Sequence, residues 1–451
     1  MHTPATTKRI VRRAAPAPMV SLHRRPWWTP YVCAASVLWL MLWAANNSGP
    51  WVLYRAPTTL KDLVHFVRTG FPLFVLPAAL VLLVGAGRRG SGLPGPLRLW
   101  ALYGLIALGA SAFWSPRPLD AVYWAVCYLA TLATVAAYLR GGRAIERAIE
   151  LNYLTWLVTT GILALLCIFA RHLLADAVET GRMSAYGVQQ QIGSVGGVGI
   201  PLATGIARFA AVPAVVAYVM LWRDRLWWRR VFWLALFASA CALIYMMQAR
   251  GTNFGLAFAL VVVTYVLGIR ARLAGAAAIL LGAAAVAIEF VPPETVERIF
   301  LHLTRGERVS QLADMSGRFD FWREGWKHIV EWPVFGYGFQ ADRYLGVGHI
   351  HNTYLYVLLT AGFVGFVPFV VGLGWAWLAA LRAQQRRLPP RLGQQAVFAQ
   401  TVGILAFFTM RSIPEVCGAF FMVDLMVMAP AIAYLGLLHQ IRADRTLAPY
   451  R

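Results

Sequence analysis

Apolar runs of about 18 to 22 residues recur along this chain, each long enough to cross a bilayer core of roughly 30 Å as a helix. They fall near residues 27–47, 68–87, 97–114, 118–139, 152–175, 206–222, 230–249, 251–268, 272–290, 353–381, 395–410 and 418–440. No other feature restricts the fold as much. The chain reads as an all-α, polytopic integral membrane protein of about twelve transmembrane helices. Only 13% of its 451 residues are charged, about half the fraction usual in soluble domains. The first run follows a basic, Pro-containing segment, as in a signal peptide. The even number of runs and the lack of a small-x-small cleavage site favour an uncleaved first helix.

The net charge of +22 invites a nucleic-acid reading, but its distribution opposes one. Lysine occurs only at Lys8, Lys61 and Lys327, and most of the arginines lie in short loops, where they set topology. Counted on alternate sides of the predicted spans, 25 Lys and Arg fall on the side that holds both termini and 16 on the other. Both tails, 1–26 and 441–451, are therefore expected to be cytoplasmic, and the long loops to face outward. The five cysteines are scattered in or beside apolar runs without a CxxC, so neither a disulfide nor a zinc site is expected.

Spans one to nine occupy 27–290 and carry an outward loop at about 176–205; a large polar loop covers 291–352, and the last three spans fill 353–440. The first loop is Gly-rich from Gly193 to Gly199. It is read as a lid or re-entrant segment, because a dinucleotide fingerprint needs a preceding strand. The second loop opens with Pro292-Pro293 before a predicted helix at about 294–304. A second helix, about 316–331, should stop at Pro333, and Pro333 to Gly338 reads as a turn.

Asp-x-Asp, P-loop and Gly-x-Ser-x-Gly motifs are missing, and no His/Cys/Glu cluster is read at metal spacing. Metal-dependent sugar-nucleotide transfer and ATP-driven work are not expected, and no metal or cofactor is assigned. Arg250 lies in a tight outward turn between two spans with little polar cover. Such an Arg is either an interfacial anchor or the holder of an anion. Arg318, Trp322 and Trp326, at i, i+4 and i+8, share one face of the second loop helix. That face suits an interfacial amphipathic helix, or a phosphate grip by Arg with Trp packed on a sugar or lipid. His351, at the start of a span, has the ordinary pKa of a general base near neutrality, though a lone His is more often structural. From it, Leu355, Leu358 and Gly362 follow near one helical face, and Gly362 and Gly365 would admit a neighbouring helix. Secondary candidates are Arg182, Arg208, Arg323, Asn352, Arg411 and Glu415. Asp424, about six residues into an apolar run, needs a partner that the sequence does not name.

The run His351-Asn352, nine residues, Gly362-Phe363-Val364-Gly365 resembles the His-Asn/Ser-x9-Gly-x-x-Gly signature of bacterial O-antigen ligases. The Arg250-Gly251 turn and an Arg in the large loop upstream of the His agree with it, although Gln248-Ala249 stands where a small hydroxyl residue is expected before Arg250. The resemblance implies a GT-C-like architecture in a Gram-negative inner membrane. It also implies transfer of a finished glycan from undecaprenyl diphosphate onto lipid A–core, on the periplasmic face, in lipopolysaccharide biosynthesis. His351 would be the general base of one inverting step, with Arg250 and Arg318 on the donor diphosphate and no metal or nucleotide. The implied partners are the lipid-linked donor, the lipid A–core acceptor and membrane lipids, with no nucleic acid. An O-antigen polymerase or a pilin O-oligosaccharyltransferase would use the same donor. From another class, a lipid-linked sugar flippase or transporter would concentrate ionisable groups near the midplane instead of at the outward rim.

Overall fold

A computed structural model describes residues 30–46, 49–85, 92–140, 144–169, 203–247, 249–269, 318–385 and 392–447. The helices are α1 Pro30–Ala45, α2 Leu60–Gly85, α3 Gly95–Phe113, α4 Pro118–Arg140 and α5 Ala144–Phe169. They continue as α6 Ala203–Arg223, α7 Trp227–Met246, α8 Arg250–Leu267, α9 Arg318–Glu331 and the single turn α10 Ala341–Tyr344. The last three are α11 Thr353–Gln385, α12 Leu392–Arg411 and α13 Val423–Leu447. Among the described residues there is no strand, as expected of a chain that must satisfy its backbone inside lipid. Nine of these helices, α2 to α8, α11 and α13, are long and apolar enough to cross a membrane. The protein is a polytopic all-α membrane protein. Helices stand at eleven of the twelve predicted runs; the ninth, 272–290, lies outside the described residues. So do the Gly-rich loop with Arg182, the predicted helix at 294–304 and the N-terminal tail.

α4, α6 and α13 form the buried centre, whereas α2 and α7 turn most of their surface outward. Small residues let neighbouring helices close up, since between helices in lipid packing replaces the hydrophobic drive. Gly372 of α11 lies where a Cβ would come within 2.7 Å of the Trp100 ring of α3, and Gly95 of α3 does the same to Trp375 of α11 at 2.5 Å. Trp100 stacks on Phe369 with ring centroids 4.9 Å apart and donates its indole N–H to the Phe369 carbonyl. Gly255 of α8 abuts Phe407 of α12 in the same manner.

The second loop helix and its stop are as predicted: α9 ends at Glu331, just before Pro333. The segment 333–338 is more than a turn. Gly362 has φ 56 and ψ −165, which breaks the α11 ladder, and this segment docks into the break. The amides of Tyr337 and Gly338 donate to the Leu359 and Thr360 carbonyls, at 2.8 and 2.9 Å. In return Phe363 and Val364 donate to the Pro333 and Val334 carbonyls. Gly362 therefore faces a loop backbone and not a neighbouring helix, which corrects one of the two glycine expectations. Its conformation also ends the straight helical face on which Leu355, Leu358 and Gly362 were aligned. Gly365 does sit where α3 approaches, with Tyr103 3.3 Å from its would-be Cβ.

Candidate active site

His351 is not inside a helix. Its backbone lies in the left-handed region at φ 45, a conformation that costs a non-glycine residue about 1–3 kcal/mol and persists only where the surroundings impose it. The surroundings are visible. On one side, Asn352 caps α11: its Oδ1 accepts from the Tyr354 and Leu355 amides at 2.9 and 3.0 Å. Its Nδ2 donates to the Ile413 carbonyl. On the other, Trp322 of α9 donates to the Ile350 carbonyl at 2.7 Å, and Gly325 lets Ile350 press against that helix. The chain bends sharply between these two anchors, and His351 takes the bend.

The connection between α12 and α13 is stitched to the same place. Thr353 takes the Ser412 carbonyl with its amide and the Glu415 carbonyl with its hydroxyl, and that hydroxyl accepts from the Cys417 amide. Glu415 is thereby held beside His351. Its Oε2 lies 3.1 Å from His351 Nδ1 and its Oε1 3.1 Å from the Arg318 guanidinium. Gly251, the second residue of α8, packs on Pro414, its would-be Cβ 3.3 Å from the ring. The start of α8, with Arg250, therefore stands at the same end of the bundle as Glu415, Arg318 and His351.

The electrostatics of this group favour an ionised Glu415 and a neutral His351. Burial pushes the Glu415 carboxyl up, but the His351 hydrogen bond and the charges of Arg411, His351 and Arg318 outweigh it, and the group is pulled down to about 2. For His351, burial is the largest influence and lowers the pKa below its ordinary 6.5; His349 and Arg318 push the same way, while Glu415 opposes them. A carboxylate on Nδ1 selects the tautomer that leaves Nε2 as an acceptor.

The remaining candidates separate. Arg323 points to solvent, 74% exposed, against Asp320, whereas Arg318 on the same helix is half-buried on Glu415. Trp326 is exposed and Trp322 is tied to Ile350, so the Trp face is split between surface and scaffold. Arg208 and Arg411 are both buried, and both reach Asp424, at 3.0 and 3.1 Å. That supplies the partner the sequence left unnamed.

Sequence reasoning also missed a neighbour. His349 lies beside His351 with ring centroids 4.0 Å apart, and the ligand atoms of His349, His351 and Glu415 all fall within 4.8 Å of one another. The absence of a metal-spaced cluster in the sequence is thus corrected by the fold. The His-x-His half was legible; the carboxylate arrives from 64 residues away. No curated protein matches the chain. Residues 234–370 match the family model described as O-antigen ligase. Over that part of the chain the protein is similar to O-antigen ligases, and Arg250, Arg318 and His351 all fall within it.

Proposed function

We propose that this enzyme ligates a glycan from undecaprenyl diphosphate onto the outer sugars of lipid A–core, at the outward rim of a bacterial inner membrane. The observation that carries the reading is a neutral-poised His351, bent out of helical geometry, on an ionised Glu415 that also holds Arg318. The acceptor hydroxyl attacks the anomeric carbon as its proton passes to His351 Nε2. The bond from that carbon to the diphosphate oxygen breaks, with inversion. The leaving diphosphate is stabilised by guanidinium groups, for which Arg250 and Arg318 are the candidates, since planar guanidinium forks match phosphate oxygens. A donor activated by its own diphosphate needs neither nucleotide nor metal.

The test is transfer in detergent from undecaprenyl-diphosphate glycan to rough lipopolysaccharide, with EDTA and no nucleotide. A ladder shifted onto the lipopolysaccharide is expected. His351→Asn is the informative variant, because Asn tolerates the left-handed backbone and the fold should survive. Its rate should drop roughly 10²–10⁴-fold, the usual worth of general-base assistance. A normally folded His351→Asn with native rate would sink the role. Growth of the lipid-linked glycan without any shift of the acceptor would make the enzyme a polymerase.

Glu415→Gln makes a second prediction. The native rate should fall as pH drops through the His351 pKa, below 6.5, because the base becomes protonated. Removing the carboxylate removes what holds that pKa up, so the acid limb moves to lower pH. The plateau should fall on the order of 10²-fold as the ring loses its fixed tautomer. A pH–rate profile of kcat/KM reads both effects, and an acid limb moving upward would contradict the assignment.

A further inference from the structure

We propose that His349, His351 and Glu415 form a binding site for a dication of the zinc class, and that its occupancy switches transfer off. The inhibitory half rests on the reading of His351 as general base; the binding half does not. Three ligand atoms, two imidazole nitrogens and one carboxylate oxygen, gather within 4.8 Å. In tetrahedral zinc geometry, with metal–ligand distances near 2.0–2.1 Å, neighbouring ligand atoms lie about 3.3 Å apart. The His351–Glu415 pair already stands at 3.1 Å, so a metal would replace that hydrogen bond with little movement. The remaining edges, at most 4.8 Å, have to close by up to about 1.5 Å to reach that geometry.

A second observation points the same way. His349 Nδ1 faces Oδ2 of Asp342, which is 1% exposed, at 3.4 Å, and the same Oδ2 accepts from the Ile350 amide at 3.3 Å. Asp342 is itself set by the chain around it: its carbonyl accepts from Gly348, and Gly346 and Gly348 take positive φ to turn the loop back. A carboxylate behind one ring nitrogen leaves the other as a basic lone pair, the arrangement usual behind metal-bound histidines. The proposed base does not need this support; a ligand does.

The donor set chooses the metal. Two imidazoles and one carboxylate suit zinc, nickel or copper and not magnesium or calcium, which take oxygen ligands. Arg318, 3.1 Å from Glu415, opposes any cation here, so the site is built for reversible occupancy and not for a structural ion. The consequence for transfer comes from the imidazole. Coordination through Nε2 uses the lone pair that accepts the acceptor proton. Coordination through Nδ1 forces the proton onto Nε2. Either way His351 cannot act as a base while the metal is bound, and no atom is oxidised or reduced.

The experiment titrates Co²⁺, a spectroscopic stand-in for zinc, into the full-length protein in detergent, following the visible absorption of tetrahedral cobalt. One equivalent is expected to bind, to be displaced by Zn²⁺, and to bind at least about tenfold more weakly to His349→Asn. Added Zn²⁺ should stop transfer by the native protein, EDTA should restore it, and His349→Asn, measured against its own zinc-free rate, should need at least about tenfold more Zn²⁺ for the same fractional inhibition. Should His349→Asn fold poorly, His349→Gln takes its place. Equal cobalt binding by native protein and variant, or none by either, overturns the site. Cobalt binding that depends on His349 without effect on transfer overturns the inhibition. A protein that binds cobalt through His349 yet transfers no glycan would overturn the ligase reading and leave the metal site standing.

Discussion

Asp424→Ala is expected to cost the protein about 3–5 kcal/mol, the usual penalty for removing one partner of a buried ion pair. Asp424 sits in the first turn of α13, 1% exposed, with Arg208 of α6 at 3.0 Å on one oxygen and Arg411 of α12 at 3.1 Å on the other. Both arginines are themselves buried. Without the carboxylate, two guanidinium groups face each other in an apolar bundle, and water must enter or the helices must part. The geometry around Asp424 is otherwise favourable: an acid near a helix start and, in Arg411, a base at a helix end each oppose the local end charge of the helix dipole. The measurement is thermal unfolding of the detergent-solubilised protein, read by size-exclusion fluorescence. Arg208→Met should lose less, since Asp424 keeps Arg411. A native-like melting curve for Asp424→Ala would show that the trio does not hold α6, α12 and α13 together.

The second large effect is expected at Gly362. Its φ of 56 with ψ of −165 belongs to a region open essentially to glycine alone. A Cβ there would lie 2.2 Å from the Val334 carbonyl group and 2.6 Å from the Phe335 amide nitrogen. These are backbone atoms of the docked loop, which cannot yield as a side chain would. Gly362→Ala therefore combines backbone strain of about 1–3 kcal/mol with loss of the docking. That docking carries the four hydrogen bonds between 333–338 and 359–364, on the path from α9 to the bend at His351. The expected result is a lower melting temperature together with loss of transfer. Gly374→Ala in the same helix, where a Cβ meets nothing within 4 Å, should behave as native. Equal melting of the two variants would show that the helix break is not needed.

The two glycines of the signature show how far local reading extends. Spacing placed Gly362 and Gly365 on a helix and predicted close packing below His351. That holds at Gly365, where α3 approaches. At Gly362 the same small size serves a different purpose, because the segment that needs the space comes from 334–335, and a helical pattern carries no sign of an incoming loop. Asn352 is similar. Beside a candidate base it invites a chemical role, yet its contacts are those of a helix cap.

By itself, the sequence determined the parts whose physics is local. Apolar runs of membrane-crossing length dictate helices, Pro333 ends α9, and the His-Asn-x9-Gly-x-x-Gly spacing marks where the site would be. Tertiary structure alone decided which groups share that site. Glu415 reaches His351 across 64 residues, and Asp424 reaches Arg208 across 216. It also decided which loop arginine meets Glu415: Arg318 and Arg323 read alike along the chain, but only Arg318 is turned toward it. The reason is physical. A charge in an apolar bundle must find its partner wherever the packing of distant helices brings one within hydrogen-bond reach, and that distance is a property of the fold and of no segment taken alone.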